Sequence, residues 1–281
     1  SSSSSSSSSS STSFVILLCL LLLNAPQVCL SFSSTSGNNK NYHDGDSLRV
    51  IRVCQNKHCC KHFQSPLDLQ GCLRVLLDDP TRSQNARINI ETSSCLSHCD
   101  IGPNIEVEFS KGEQKKKSAA TAIHHIHDWQ AALVCLEDEL DLTIDPVLKA
   151  ACNVLNKAKA APMEDREKLL SSVIRKLGQT DGLETSTAMA LSYALRSEYH
   201  LTISKDFDSV KSDCQSCLAI EPGSTKIRRL AFRIWAEMEE EASNYADAIQ
   251  IIQKCIHEDA TFARKDKQEM ERLAARLQQT P

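Results

Sequence analysis

The sequence predicts an α+β domain at residues 48–143, followed by an all-α domain of helical hairpins at residues 144–281. In the first domain, short β-branched runs alternate with one apolar helical pattern. From residue 144 onward Ala, Leu, Lys and Glu dominate, and Pro162, Gly178 and Gly182 interrupt the helical pattern. Aromatic residues make up only 5% of the chain, which favours helices over an all-β fold.

The α+β domain has the predicted order strand, helix, strand, strand, helix. The third strand gives the clearest signal, because Ile105 and Val107 alternate with Glu106 and Glu108, as expected for a half-buried strand. The first helix has leucines on one side and ends before Pro80. The predicted elements are a strand at 48–53, a helix within 66–77, strands at 87–91 and 104–109, and a helix at 128–140.

Four cysteines form two pairs, each of which follows an apolar, β-branched run. Cys54 and Cys59 have C-x4-C spacing, and Cys95 and Cys99, thirty-five residues further on, have C-x3-C spacing. Two strand ends that deliver thiols into facing loops can form a four-sulfur site. A [2Fe–2S] cluster needs four such thiolates, and iron favours soft ligands. The pattern therefore predicts a metal centre at the ends of two neighbouring strands.

The segments 53–59 (VCQNKHC) and 95–107 (CLSHCDIGPNIEV) resemble the thioredoxin-like [2Fe–2S] ferredoxins. That family includes free bacterial proteins and the small peripheral cluster subunit of respiratory complex I. The resemblance covers residues 48–140. It implies a thioredoxin-like fold and a role in electron transfer or as a cluster-bearing adaptor, without enzymatic activity. It also implies one [2Fe–2S] cluster, held by Cys54, Cys59, Cys95 and Cys99.

Other interpretations of the same cysteines stay open. A zinc ion could be held by Cys54, Cys59 and Cys95 together with Cys99 or His98. With zinc, or with a cluster that is purely structural, the protein would be a scaffold whose helical half binds a partner. The four cysteines could instead be buried apolar residues or form disulfides. A Rieske-like centre needs two His ligands, and the C-x-H half of its pattern is missing.

Cys60 adds two further alternatives. Because C-x5-C spacing is also geometrically feasible, Cys60 could replace Cys59 as the second ligand. Cys59 and Cys60 would be the reactive thiols of a thiol oxidoreductase, although the C-x-x-C motif that such chemistry favours is absent after the first strand. Cys72 lies within an apolar helical pattern and is predicted to be a core residue.

The helical half contains a degenerate repeat. Residues 207–222 and 245–260 match at five spaced positions with an offset of 38 residues. These intervals resemble the second helix of tetratricopeptide repeats, over residues 186–279, and an earlier hairpin is expected at 147–177. On this alignment Cys214 and Cys217 face a partner helix and are predicted to be core rather than redox-active. The resemblance implies a groove that binds a peptide or protein, with purely structural support of the cluster domain as the alternative.

Charge and motifs exclude some partners and activities. The net charge of −4 gives no electrostatic footprint for nucleic acid. Segment 111–117 (KGEQKKK) is predicted to be a solvated hairpin tip, or a docking site for an acidic redox partner protein. His124, His125 and His127 are not expected to bind metal, because on a strand only His125 and His127 share a face. No nucleotide-binding loop or nucleophile elbow is present, and both a lone subunit and a homodimer are compatible with the sequence.

Residues 1–47 comprise a Ser tract, an apolar run and a Ser/Asn-rich segment. The apolar residues 14–23 (FVILLCLLLL) are too few to span a bilayer but suit a signal peptide, so the mature protein is expected to have no membrane span. The order of signal peptide and Ser-rich segment resembles the two-part presequences of algae with complex plastids. A plastid stroma would also keep the thirteen cysteines reduced. The predicted location is the plastid, with the secretory pathway and the mitochondrion as alternatives.

Overall fold

The computed structural model of the chain describes residues 47–77, 88–94, 96, 102–110, 120–220, 224–260 and 263–279. Over these ranges the fold is mixed α+β, with a small four-stranded sheet and many helices. The sheet is built around β1 (Ser47–Cys54). β2 (Asn89–Ser93) pairs with β1 in parallel, β3 (Ile105–Ser110) pairs with β1 antiparallel, and β4 (Thr121–Ile123) pairs antiparallel with β3. The strand order is therefore β2-β1-β3-β4.

The two faces of the sheet differ in polarity because side chains alternate along each strand. On one face Arg52 donates hydrogen bonds to Glu91 (3.2 Å), Glu106 (3.0 Å) and Glu108 (2.8 Å) on the neighbouring strands. A shift of register by one residue would move this arginine into the core, so the cross-strand ion pairs specify the register. The other face is apolar and buried, and its residues are Ile51, Val53, Ile90, Ile105 and Val107.

The remaining elements are helices. α1 (Lys57–Cys60) is a single turn after β1, and the Asn56 side chain caps it by accepting a hydrogen bond from the His58 N–H (2.9 Å). α2 (Leu69–Leu77) follows, and α3 (Trp129–Val134) continues as a π-helical turn, Cys135–Glu139. The helical half consists of α4 (Pro146–Ala160), α5 (Met163–Gly178), α6 (Thr187–Tyr199), α7 (Phe207–Ala219), α8 (Thr225–Glu241), α9 (Tyr245–Glu258) and α10 (Ala263–Leu277).

The predicted α+β fold class is confirmed at this level, while the finer thioredoxin-like assignment stays a prediction. The predicted strands and helices are present, with ends shifted by a few residues. The sequence does not predict α1 or β4, because one helical turn and three strand residues are too short for a periodic pattern. The hairpin expected at 147–177 corresponds to α4 and α5, which Pro162 separates.

The helical half has a regular spacing. α6, α8 and α10 begin at residues 187, 225 and 263, and α7 and α9 begin at residues 207 and 245. Each start therefore lies 38 residues after the equivalent one, which is the offset that the sequence indicates. Consecutive helices pack on each other, and α6 also packs on α8. Contact between alternate helices is expected for stacked hairpins, and the tetratricopeptide assignment itself stays a prediction.

Helix α2 joins the sheet to the helical half. It packs on β2 and α3, and also on α4 and α6. The described residues from 47 onward belong to one compact unit, whose main hydrophobic core runs from Ile51 to Met238. The predicted domain boundary at residue 144 therefore lies within a shared core.

Some predicted features lie outside the described residues. These are residues 1–46 of the leader, the hairpin tip at 111–117, and the site residues Cys95, His98 and Cys99. In the part of the chain that is described, none of the helices combines the length and apolar composition needed to cross a bilayer.

Candidate metal centre

The candidate centre lies at the edge of the sheet where the parallel strands β1 and β2 both end. In the register of this pair Cys54 lies opposite Ser93, and the Gln55 N–H donates a hydrogen bond to the Ser93 carbonyl (2.8 Å). Cys95 follows Ser93 by two residues in the sequence. Because the two strands run in parallel and end together, the chain that continues to Cys59 and the chain that continues to Cys95 leave the sheet side by side.

Cys54 and Cys59 lie together in the interior. Their exposed fractions are 2% and 0%, and the two thiols are close enough for Cys54 to affect the ionisation of Cys59. The turn of α1 causes this proximity, because it folds the chain back after β1 and directs Cys59 inward. Two sulfur atoms of the predicted four are therefore adjacent and shielded from water.

Residues 102–104 close over Cys59. A Cβ atom placed on Gly102 would lie 2.5 Å from the Cys59 Sγ, so only glycine allows this approach. The backbone N–H of Asn104 donates a hydrogen bond to the Cys59 thiol, and the Asn104 carbonyl accepts one from the Cys54 N–H (3.2 Å). The Gly102–Pro103 peptide bond is cis. Residues 102–104 therefore contact both cysteines of the first pair.

The electrostatics of the site favour a neutral Cys59 thiol as long as no cation is near it. Burial raises the pKa of the Cys59 thiol to about 12, and the neighbouring Cys54 thiol acts in the same direction. The Asn104 N–H opposes this shift, because it stabilises a thiolate. A metal cation would reverse the balance, since it deprotonates a coordinating thiol outright.

Cys60 has different surroundings from Cys59. It is exposed, and its thiol donates a hydrogen bond to the Cys54 carbonyl (3.3 Å). Burial and the nearby Cys54 and Asp68 raise the pKa of the Cys60 thiol, and the ammonium of Lys226 opposes them. The Cys60 thiol therefore does not belong to the interior pair. It lines a cleft between the segment after α1 and the helical half.

The structure brings together two of the four predicted ligands. Cys54 and Cys59 are adjacent, whereas Cys95 and Cys99 lie outside the described residues, as does the alternative ligand His98. Among the described residues alone, no group of three or more His, Cys, Asp or Glu side chains is arranged to hold a metal ion. Cys95 and Cys99 are not among those residues.

The three histidines do not lie on a strand, so that part of the prediction is wrong. β4 ends at Ile123, and His125 has a positive φ of 64°, which is outside the extended region. The Nδ1 atom of His124 is 3.0 Å from the Asn104 side-chain oxygen, so this histidine helps to position the segment above Cys59. His125 and His127 are exposed, with ring centroids 5.7 Å apart.

The other described cysteines are core residues. Cys214 and Cys217 both have exposed fractions of 0%, and burial raises the pKa of each thiol to about 12. Their predicted core position is therefore confirmed, and so is that of Cys72. All described cysteines are free, namely Cys54, Cys59, Cys60, Cys72, Cys135, Cys152, Cys214, Cys217 and Cys255.

The sequence indicates that the irregular segment at Gly102-Pro103 can expose backbone N–H groups near the sulfurs, but it does not single out Asn104 as the donor. Its role depends on its backbone N–H and carbonyl, and these groups are the same in every residue other than proline. The Gly102-Pro103 pair before it is the only local signal, because a glycine next to a proline marks an irregular segment.

No family model matches the chain, and no curated protein or solved structure shows significant similarity to it.

Proposed function

We propose that the protein binds one [2Fe–2S] cluster through Cys54, Cys59, Cys95 and Cys99 and acts as an electron carrier or cluster-bearing adaptor. The observation that carries the proposal is the contact of residues 102–104 with Cys54 and Cys59. Cys99 precedes Gly102 by only three residues, and Cys95 follows the strand end at Ser93 by only two. Both cysteines of the second pair are thus tied by short lengths of chain to residues beside the first pair.

The donor set fits such a cluster. The site offers buried thiols, a glycine where a Cβ would collide with sulfur, and a backbone N–H that points at a sulfur atom. Hydrogen bonds to the sulfurs and solvent exposure are the means by which proteins tune a cluster's potential. Cys59 suits the role better than Cys60, because Cys59 is the residue that Gly102 and Asn104 contact.

In this mechanism the bound cluster supplies one-electron chemistry, and the chain supplies its environment. Cys54 and Cys59 provide thiolates, Asn104 stabilises negative charge on sulfur, and Gly102 lets the backbone come close. The interior position of the first pair keeps water away from it. No side chain is assigned an acid–base step.

The helical half is proposed to support this domain and to determine which redox partner protein approaches it. Helix α2 already packs against α4 and α6, so the chain covers part of that face with its own helix. This packing favours structural support over docking of a foreign peptide on α4 and α6. Binding of a partner on the remaining surface is part of the proposal.

Anaerobic purification followed by metal and sulfide analysis tests the cluster. We expect about two irons and two sulfides per chain and visible charge-transfer bands that bleach with dithionite. Replacement of Cys54, Cys59, Cys95 or Cys99 by serine should each remove the bands. Cys60→Ser is the matched control, since it changes the adjacent cysteine and should keep the cluster.

A colourless protein with one zinc per chain would overturn the proposal in favour of the zinc scaffold. Loss of the bands in Cys60→Ser, together with their retention in Cys59→Ser, would show that the ligand register is shifted by one residue.

A further inference from the structure

A cleft of about 640 Å³ lies between the chain segment after α1 and the helices α6 and α8. Its volume is within the range of about 300–1,000 Å³ that is typical of sites for small organic ligands. Apolar side chains from both sides line it, among them Phe63, Leu67, Leu191, Leu195 and Leu230. A ligand that fills it would therefore bury an apolar body.

The charged residues of the cleft are mostly cationic. Among the described lining residues the only acid is Asp68, whereas Lys159, Lys226, Arg229 and Arg233 line the cleft together with Arg74. Lys226 forms an ion pair with Asp68. Arg229 and Arg233 share the buried carboxylate of Asp266, which lies outside the lining. The positive charge thus exceeds the negative charge that faces the cleft.

Two of these cations are well placed for a ligand. The ammonium of Lys159 has no hydrogen bond or ion pair among the described residues, although it lies close enough to Asp68 to help lower the pKa of that carboxyl, and its residue is exposed. Lys226 and its partner Asp68 are both about half exposed, at 62% and 51% of their side-chain surface, so this pair is weak and exchangeable. A ligand anion can therefore compete for both ammonium groups.

We propose that the cleft binds a small amphipathic carboxylate. Its hydrocarbon body would lie against the leucines of α6 and α8, where burial of apolar surface favours binding. Its carboxylate would lie near Lys159 and Lys226. A cationic or neutral ligand of the same length would lack the electrostatic attraction between a carboxylate and the ammonium groups of Lys159 and Lys226.

The cleft adjoins the candidate metal centre. Cys54, Cys60 and Pro103 are part of its wall, so an occupant would cover that side of the centre. This consequence rests on the proposed function. The binding itself does not, because none of the apolar or cationic residues named for it is a proposed ligand.

Calorimetric titration of the full-length protein with dodecanoate, below its micellar concentration, tests the proposal. Dodecyltrimethylammonium, with the same chain and the opposite charge, is the control ligand. We expect one dodecanoate site, no binding of the ammonium compound, and at least tenfold weaker dodecanoate binding by Lys159→Gln/Lys226→Gln. Lys157→Gln is the matched control, since Lys157 lies exposed on the same helix outside the cleft and should leave the affinity unchanged.

Alkylation of Cys60 by iodoacetamide, followed by peptide mass spectrometry, shows where the ligand binds. Bound dodecanoate should slow labelling of Cys60 at least fivefold, because this thiol lines the cleft. The single variant Lys159→Gln keeps the test decisive if the double variant is unstable. Equal binding of both ligands, an unchanged affinity in the variants, or unprotected Cys60 would overturn the proposal.

Iron content is measured on the same samples. If the protein contains its full iron but does not bind dodecanoate, only the proposal of a carboxylate site in the cleft is overturned. If an iron-free, colourless protein binds dodecanoate, only the proposal of a [2Fe–2S] cluster is overturned.

Discussion

Cys59 and Cys60 are consecutive residues, yet their thiols serve different parts of the molecule. Cys59 lies in the interior beneath Gly102, and Cys60 is exposed and donates a hydrogen bond to the Cys54 carbonyl. The helical turn α1 causes the difference, because successive side chains on a helix point about 100° apart. The sequence prediction prefers Cys59 and keeps Cys60 as the alternative ligand, and the local geometry is consistent with that preference, because only the Cys59 thiol lies in the interior.

Replacement of Gly102 by alanine adds a single carbon atom and tests whether the centre requires the close approach of Gly102 to Cys59. In Gly102→Ala the new Cβ would lie 2.5 Å from the Cys59 Sγ and 3.2 Å from its Cα, and the second of these atoms belongs to the backbone. We expect the segment to be displaced, with loss of at least half of the bound iron and a free energy of unfolding lower by about 1–3 kcal/mol. Iron analysis and urea unfolding measure the two effects.

Gly178→Ala is the matched control for this substitution. Its Cβ would be 3.5 Å from the Met189 Cε, which is an ordinary van der Waals contact, and the residue ends helix α5. Unchanged iron content is expected, with stability unchanged or slightly raised. If Gly102→Ala behaved in the same way, close packing over Cys59 would have no role in the centre.

At the scale of elements, the side chain of Asn156 links α4 to the segment before α2. Its oxygen accepts a hydrogen bond from the Leu67 N–H (3.2 Å), and its amide group donates to the Cys152 carbonyl (2.9 Å). Asn156 and Leu67 have exposed fractions of only 4% and 3%. A buried amide that satisfies a distant backbone group determines where one element docks on another.

Asn156→Ala is expected to destabilise the protein by about 1–3 kcal/mol, because it leaves the buried Leu67 N–H without an acceptor. Urea unfolding of the whole chain measures the change in the free energy of unfolding. Asn153→Ala, one turn earlier on the same helix and less buried, is the matched control and should change it by less than about 0.5 kcal/mol. Equal effects of the two substitutions would indicate that the Asn156–Leu67 contact does not hold α2 in place.

For the whole molecule, the packing of α2 has consequences for domain organisation. This helix buries residues against the sheet side and against α4 and α6 at once. Cys72, Leu73, Val75 and Leu76 all have exposed fractions of 0%. A short amphipathic helix would bury only one stripe of its surface, so burial of nearly the whole helix requires partners from both halves of the chain.

A chain cut at residue 143 is therefore expected not to fold independently. The fragment 44–143 would expose the face of α2 that packs on α4 and α6, and it should bind a hydrophobic dye and melt without a cooperative transition. The fragment 44–281, which keeps all described residues, is the control and should melt cooperatively in circular dichroism. A sharp transition of the shorter fragment would support two autonomous domains, as the sequence boundary at 144 suggests.

The predictability of the fold varies with the length of the element. The strands around Ile51 and Val107 and the helices of the 38-residue repeat extend over enough residues for their periodicity to be read. The turn α1 and the strand β4 are too short for this, and the strand expected to include His124, His125 and His127 ends at Ile123. Periodic patterns report long elements, whereas caps and turns depend on single residues.

The candidate site follows the same distinction. Cys54 and Cys59 are recognisable from their spacing, and their burial as a pair agrees with it. Near Asn104 the only sequence signal is the irregular Gly102-Pro103 pair, and the cleft is formed by residues as distant as Phe63 and Leu230. Long-range contacts of this kind follow from the packing of α2 and have no local signature.

The sequence by itself determined the α+β-then-α class, the repeat offset of 38 residues and the core positions of Cys214 and Cys217, because each depends on the periodic spacing of apolar residues. Only the tertiary structure decided that Gly102 closes over Cys59, that Cys60 faces a cationic cleft, and that the two halves share one core. The physical reason is that periodicity records which face of an element is buried, whereas the identity of the surface against which it is buried depends on residues far away in the chain.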